Sequence, residues 1–194
     1  EISTDTWTQK LNLPFGNRWR SSAASLNNTG YLIFGRNEAN NFHNELYEYN
    51  PSGDNWLQIS SFPSIGRSHS TMYTSDSSIF ICFGLDSINN SHNDLWQYKI
   101  GTGTWTIMPG LPSIGRRGGM ATYHQHTLFY STGIDEGNNR LNQTWKYDTD
   151  LSLIEMDQIG NRELINIVDL LGRETEYKPN IIQIYIYDDG TTEK

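Results

Sequence analysis

The chain has 194 residues, of which 36% are hydrophobic and 19% charged, a composition typical of a globular protein rather than a disordered one. Its 22 acidic and 14 basic residues give a net charge of −8, which disfavours a nucleic-acid partner because a phosphate backbone requires clustered Lys and Arg. The single cysteine excludes an internal disulfide and a four-cysteine zinc site. The longest apolar run, residues 79–83, is far too short to span a membrane.

An internal repeat with a period of 49 residues runs through most of the sequence. Six residue types recur at this spacing without an insertion, and the pattern stops near residue 154. The recurring positions are Trp7, Trp56 and Trp105; Pro14, Pro63 and Pro112; Arg18, Arg67 and Arg116; Gly35, Gly84 and Gly133; Asn44, Asn93 and Asn142; and Tyr49, Tyr98 and Tyr147. A period of this length indicates a protein built from repeated supersecondary units.

In chain order, residues 4–10, which contain Trp7, are predicted to be the fourth strand of a preceding unit. Three units follow at about 18–60, 67–109 and 116–156, so that the repeats occupy residues 1–156. Each unit is predicted to form four short strands, which in the middle unit are 68–73, 78–84, 94–99 and 104–108. No segment has a sustained helical periodicity, and the predicted fold class is all-β.

A four-stranded unit of this length, stacked on its neighbours, is typical of a β-propeller blade. The repeat resembles the kelch motif in the apolar run that ends at Gly35, in Leu46-Tyr47-Glu48-Tyr49 and in Trp56. It departs from that motif where kelch units carry the first glycine of a pair, since Phe34, Phe83 and Thr132 occupy this position. The resemblance covers about residues 4–156 and implies kelch-like β-propeller blades.

Three blades cannot close a ring that ordinarily contains about 4–8 of them. We therefore expect an incomplete ring that is part of a longer propeller. Closure of the ring by self-association is the alternative.

Residues 157–194 have no counterpart in the repeats. Residues 181–187 are predicted to form a strand and 188–190 a turn, which begins a small β-hairpin or β-sandwich-like tail whose closing strand is expected beyond Lys194. In this tail a strand is followed by a turn at Gly172-Arg173-Glu174, a second strand and an Asp-Gly pair. This pattern resembles the C-terminal sorting modules of the Bacteroidetes type IX secretion system. The resemblance implies a secreted or cell-surface bacterial protein with the export machinery as a partner. A plain terminal hairpin docked on the last blade is the alternative.

Strand parity places the long segments 36–44, 86–93 and 134–142, with 63–67 and 112–116, at one end of the blades. We refer to this end as the loop face; the other end carries only tight turns such as 51–54 and 101–103. Since binding residues concentrate on loops held by a rigid scaffold, the loop face is the predicted binding surface.

The candidate binding residues lie on or near the loop face. Arg18, Arg67 and Arg116 open the innermost strands and are expected to ring the central channel, where guanidinium groups suit carboxylates or sugar hydroxyls. The alternative is a structural role, in which each arginine bonds loop carbonyls of a neighbouring blade. The other candidates either break the repeat at the strand opening or lie in the long loops: Trp19, Arg20, His69, Arg117, His43 and His92.

The repeated Trp, Gly and Tyr residues are predicted to be structural, with the tryptophans packed between blades. No metal site is predicted, because His43 and His92 would need ligands from other loops, and no cofactor is predicted.

These features favour a non-catalytic recognition module that binds a protein or a glycan. The alternative is a kelch-fold enzyme with active residues partly on further blades. A galactose-oxidase-like oxidase is disfavoured because Cys82 lies at an interior packing position. A sialic acid mutarotase would require a carboxylate beside Arg67 and His69.

Overall fold

The computed structural model describes residues 5–75, 77–124, 126–148, 164–176, 183–188 and 192–193. The chain forms two compact units, Glu1–Asp148 and Thr149–Lys194. The division lies somewhat before the boundary predicted after residue 156, in a stretch outside the described residues. Every helix or strand assigned within the described ranges is a β-strand, so the all-β fold class is confirmed. No helix in these ranges is long and apolar enough to cross a membrane.

The first unit consists of antiparallel sheets that follow the repeat. The first blade contains β1 (Ser22–Leu26), β2 (Thr29–Ile33), β3 (Glu45–Asn50) and β4 (Asn55–Ser61), in that order. The second blade and its loops contain β5 (Arg67–Ser68), β6 (Thr71–Ser75), β7 (Ser78–Cys82), β8 (Leu85–Asp86), β9 (Leu95–Lys99) and β10 (Thr104–Met108). The third blade contains β11 (Met120–His124), β12 (Thr127–Ser131) and β13 (Thr144–Asp148). The fourth strand predicted for the third blade falls outside the described residues.

In the second blade, β6, β7, β9 and β10 form the sheet, while β5 pairs with β8 at the loop face. The predicted first strand, 68–73, is therefore broken in two. The break is at His69, whose φ of +56° cannot continue an extended strand. β7 is buried along its whole length, as its continuous apolar sequence predicted.

The three residues that stand where kelch units carry the first glycine of a pair have a left-handed backbone conformation. Phe34, Phe83 and Thr132 have φ values of +65°, +63° and +69°. Such angles are strained for side chains other than glycine. Both phenylalanines are almost completely buried, and this burial offsets the backbone strain.

Adjacent blades meet through equivalent contacts 49 residues apart. The Ser22 hydroxyl donates to the Ser70 carbonyl at 2.7 Å, and the Thr71 hydroxyl donates to the Gly119 carbonyl at 3.1 Å. Further out, the Phe62 ring lies between blades one and two. Its ring centroid is 5.1 Å from that of Trp96 and 5.3 Å from that of Trp105, both edge-on.

The segment 4–10, predicted to be the fourth strand of a preceding blade, forms no strand in its described part. Residues 5–13 carry no strand, and Trp7 is fully exposed. A fourth strand forms only by pairing with a third strand of its own blade, and the described residues contain no such partner. The segment is tied to the first blade further along, where the Trp56 indole donates to the Leu11 carbonyl at 3.0 Å.

The second unit contains β14 (Leu164–Val168), β15 (Ile184–Tyr187) and β16 (Thr192–Glu193), which form one antiparallel sheet. The closing strand of the hairpin is β16, so the expectation that it lies beyond Lys194 is wrong. Residues 181–182 of the predicted strand lie outside the described residues. Gly172 turns the chain after β14 with a φ of +77°, and its amide donates to the Asp169 carbonyl at 2.9 Å.

Candidate functional site

The three repeated arginines are buried within the blades. The exposed fraction is 1% for Arg67 and 0% for Arg116, and the Arg18 side chain is 2% exposed. Because their guanidinium groups offer no surface to a ligand, the expectation that they ring the channel is wrong.

Each repeated arginine instead faces one position of its own blade, where the third strand begins. Arg67 donates to both carboxylate oxygens of Asp94 at 2.6 Å and to the Phe83 carbonyl at 3.0 Å. The equivalent partners are Glu45 for Arg18, at 3.6 Å, and Gln143 for Arg116, at 2.8 Å. The role is structural, but the partners belong to the arginine's own blade, not to the neighbouring one as the structural alternative predicted.

His43 and His92 are also held by local carboxylates. His43 Nδ1 lies 3.4 Å from Glu45, and His92 Nε2 lies 3.1 Å from Asp86. Asp86 is itself buried and accepts the backbone amides of Ile88 and Asn90. These contacts shape the loops, and they keep the two histidines apart from the other candidates.

The remaining candidates come together at the innermost part of the loop face. The Trp19 ring is 48% exposed and lies against two guanidinium groups. The Cζ atom of Arg20 is 3.8 Å from its centroid and that of Arg36 is 4.8 Å away. The backbones of Trp19 and Arg36 pair through two hydrogen bonds of 3.0 and 3.1 Å, which fix the relative position of the two residues. A cation–π contact of this kind holds an arginine in place without neutralising its charge.

Backbone hydrogen bonds bring equivalent positions of the three blades to the same place. The His69 amide donates to the Arg20 carbonyl at 3.1 Å, and the Gly118 amide donates to the His69 carbonyl at 2.8 Å. Arg117, beside Gly118, donates to the Asp135 carbonyl and to the Asn138 side-chain oxygen. We refer to Arg20, Arg36 and Arg117, with Trp19 and His69, as the arginine cluster.

The electrostatics of the cluster are those of closely spaced cations. Burial, followed by the charges of Arg20, Arg117 and Arg36, lowers the pKa of His69 to about 4. Burial and the charges of Arg36 and Arg117 likewise lower the pKa of Arg20. His69 is thus neutral at pH 7.

The arginines of the cluster form no ion pair with a described acidic side chain, although the charge of Arg117 contributes to lowering the pKa of the nearby Asp135. Within the part of the chain that the structure describes, the arginines that form ion pairs are Arg18, Arg67 and Arg173, and none of these belongs to the cluster. The Arg36 Nε atom is buried without a hydrogen-bond partner. An anion placed at the cluster would supply acceptors to the exposed Arg20 guanidinium group.

Sequence reasoning identified four of the five cluster residues and missed Arg36. Its equivalents in the other blades are Leu85 and Ile134, so Arg36 breaks the repeat at the start of a long loop. The rule that selected Arg20 and His69, namely a departure from the repeat near the strand opening, would have selected Arg36 as well.

Two shallow grooves border the cluster. One has a volume of about 580 Å³ and is lined by residues that include Asn12, Leu13, Trp19 and Arg20. The other, of about 410 Å³, is lined by residues that include Trp19, Arg36, Asn37 and Glu38. Trp19 belongs to both linings, so a ligand lying in either groove would reach the cluster.

An apolar pocket of about 400 Å³ lies elsewhere, between the second and third blades. Its lining includes Cys82, Leu95, Tyr130 and Trp145. Trp145 is equivalent to Trp96, which packs on Phe62 between the first two blades. The pocket is thus part of the packing between blades, and we assign no ligand to it.

No family model matches the chain, and no curated protein matches it significantly. The fold is similar to that of the solved "Structure of YjhT", with a sequence identity of 15% and a TM-score of 0.66. The match covers 74% of this chain and 53% of that chain, so the chain spans about half the length of the solved structure. YjhT has a kelch-like β-propeller fold, and the likeness shows that the blades of this chain share that fold.

Proposed function

We propose that the chain is a non-catalytic recognition module that binds a protein or glycan ligand through its loop face. The observation that carries the proposal is the arginine cluster, in which the charges of three guanidinium groups from two blades act on one another and none of the three forms an ion pair with a described carboxylate. Keeping like charges together is unfavourable in the free protein. A ligand that supplies negative charge or hydrogen-bond acceptors would relieve that cost.

The contrast with the buried arginines supports this interpretation. Arg67 has a carboxylate partner at 2.6 Å and serves its own blade. Arg20 is exposed, and it is held by Trp19 rather than by an acidic side chain. Since the positions of Arg20 and Arg117 are tied together by backbone hydrogen bonds through His69, the cluster is pre-organised for a ligand.

A kelch-fold enzyme that acts on a sugar acid, such as a sialic acid mutarotase, is the second candidate. It is favoured by two neighbours of Arg117, the imidazole of His69 and the carboxylate of Asp135, because a base and a carboxylate near a cation suit proton transfer. Both oxygens of Asp135, however, accept hydrogen bonds from Asn139, at 2.8 and 3.0 Å. This engagement leaves Asp135 in a loop-shaping role and favours the recognition module.

Binding to glycan and protein arrays tests the proposal. The test variant replaces Arg20, Arg36 and Arg117 by Gln, and the control replaces Lys10, Lys99 and Lys146 by Gln. The control residues are exposed and lie outside the cluster, and the control removes the same charge. We expect the wild type and the control to bind the same ligand and the cluster variant to lose it. Equal binding by all three proteins, or turnover of the bound sugar, would contradict the proposal.

For the second unit, we propose an export address read by a type IX secretion machinery, which would make the protein secreted or surface-attached. The antiparallel arrangement of β14, β15 and β16 around the Gly172 turn supports this proposal. Fusing residues 149–194 to a reporter with an N-terminal signal peptide, in a Bacteroidetes host, tests it. Surface appearance of the reporter is expected. Periplasmic retention equal to that of a reporter without the tail would refute the idea.

A further inference from the structure

We infer that the loop face binds an acidic glycan through the carboxylate of a uronate residue. Arg20 and Arg36, which pack on Trp19, are the residues that bind this carboxylate. The inference rests on the proposed function and narrows its ligand class. It concerns how the cluster binds, and it makes no statement about turnover.

Arg20 and Arg36 have the donors that a carboxylate requires. A guanidinium group carries five N–H donors in a plane, and two of them match the two oxygens of a carboxylate. The Arg20 guanidinium forms no hydrogen bond with another described side chain, and its position is set by the 3.8 Å contact with the Trp19 ring. The same ring contacts Arg36, whose Cζ atom is 4.8 Å from the ring centroid, so both guanidinium groups pack on the Trp19 indole.

Arg117 adds positive charge from a fixed position. Its two terminal nitrogens donate to neutral acceptors, the Asp135 carbonyl at 3.2 Å and the Asn138 amide oxygen at 2.6 Å. Neutral acceptors hold the side chain and leave its charge in place. In Arg67, by contrast, the Asp94 carboxylate both holds and neutralises the group.

The surroundings of the cluster restrict how much negative charge a ligand can carry. Glu38 lines the groove beside Arg36, and Asp135 and Glu136 lie in the loop after β12 whose Asp135 and Asn138 oxygens Arg117 contacts. The whole chain has a net charge of −8. A Glu-rich peptide would bring its further carboxylates against these acidic groups, whereas one carboxylate on an uncharged body would not.

The same loops offer side chains that suit sugar hydroxyls. Asn40 and Asn41 are exposed, and each side-chain amide provides both donors and an acceptor. An acidic glycan presents the matching combination of one localised charge and many hydroxyl groups. This combination favours a uronate over an acidic peptide.

Isothermal titration with a panel of oligouronides (galacturonate, glucuronate and mannuronate trimers) tests the inference. Each trimer is compared with its methyl ester, which keeps the hydroxyls and removes the charge, and with a Glu-rich peptide. We expect one acid to bind about tenfold or more tightly than its ester. Arg20→Gln should weaken binding to a similar extent, and Lys99→Gln should leave it unchanged. Arg20→Lys keeps the charge but loses the planar fork, and we expect it to behave like Arg20→Gln.

Four results would overturn the inference: equal affinity for acid and ester, no binding of any oligouronide, tighter binding of the Glu-rich peptide through the same arginines, or competition by inorganic phosphate at equal concentration. If a neutral glycan or a protein binds the loop face while the uronates do not, the proposed function stands and the inference falls. If nothing binds there in a cluster-dependent way, both fall. Circular dichroism and the Tm of each variant establish that a loss of binding is not a loss of folding.

Discussion

Arg67 donates one hydrogen bond from each terminal nitrogen of its guanidinium group to a different oxygen of Asp94, and both bonds measure 2.6 Å. The arginine is 1% exposed, and the Asp94 side chain is 21% exposed. Burial raises the pKa of Asp94, but the hydrogen bonds and charge of Arg67 outweigh this effect, and the pKa lies below its usual value. The pair connects the start of the second blade to its third strand.

Removal of the carboxylate should therefore destabilise the protein strongly. We expect Asp94→Ala to lower the free energy of unfolding by about 3 kcal/mol, because it leaves a buried guanidinium group unpaired. Glu45→Ala is the matched control in the first blade, where the ion-pair distance is 3.6 Å, and its effect should be smaller. Urea denaturation measures both. A larger effect for Glu45→Ala than for Asp94→Ala would contradict the structural role assigned to the bidentate pair.

The third blade offers the reverse experiment. Gln143 occupies the position of Asp94 and accepts a hydrogen bond from Arg116 at 2.8 Å, but it carries no charge. Gln143→Asp should raise the free energy of unfolding by about 1 kcal/mol at neutral pH by giving Arg116 a charged partner. Gln143→Asn has the same size without the charge and should bring no gain. If the two variants have equal stability in urea, the carboxylate is not the source of the stabilisation in the second blade either.

The sequence was sufficient to predict the second and third strands of the blades because the hydrophobic pattern of β7 and the aromatic alternation of β9 recur at a constant interval. It was sufficient to locate Arg20 and His69, since both break the repeat. It did not predict the burial of Arg67, because the partner, Asp94, lies 27 residues away and is Glu or Gln in the other blades. A contact between different residue types at long range leaves no periodic signal in a single chain.

The arginine cluster depends on how the first and third blades are placed relative to each other, which a single sequence does not show. Arg20, Arg36 and Arg117 come from two blades, and backbone hydrogen bonds between blades, including those through His69, bring them into register at the loop face. Trp7 shows that a residue can match the repeat spacing without forming the predicted strand. Its spacing is perfect, yet the described chain gives it no strand to pair with.

Gly84 illustrates a repeated position where a side chain would be crowded and would strain the backbone. Its φ is +104°, and a Cβ atom there would lie 3.1 Å from the Ser68 carbonyl oxygen. We expect Gly84→Ala to lower the free energy of unfolding by about 2 kcal/mol. Gly101→Ala, at an exposed turn with open space around its Cβ position, should change it by less than about 0.5 kcal/mol. Similar thermal unfolding midpoints for the two variants would argue against the backbone arrangement at the end of β7.

His69 should make stability depend on pH. Its pKa is lowered to about 4, first by burial and then by Arg20, Arg117 and Arg36, whereas an unfolded histidine titrates near about 6.5. Between these values the unfolded chain binds more protons than the folded chain, so stability should fall as the pH falls from about 6.5 to about 4. Ser68, whose hydroxyl is 3.2 Å from His69 Nδ1, adds no charge.

The contribution of His69 is isolated by His69→Gln. We expect the urea midpoint of the wild type to drop more than that of the variant between about pH 7 and about pH 5. Parallel pH profiles for the two proteins would mean that His69 is not held neutral by the cluster. Other titrating groups are common to both proteins and cancel in the comparison.

The central claim is that the loop face, through its arginine cluster, is where the ligand binds. An NMR titration of the isotopically labelled chain with a galacturonate, glucuronate or mannuronate trimer tests it most directly. We predict that the indole signal of Trp19 and the guanidinium signals of Arg20, Arg36 and Arg117 shift on addition of the ligand, while the amide signals of residues 51–54 and 101–103 at the opposite end stay in place. Saturable shifts confined to the opposite end, with the cluster signals unmoved, would contradict the account.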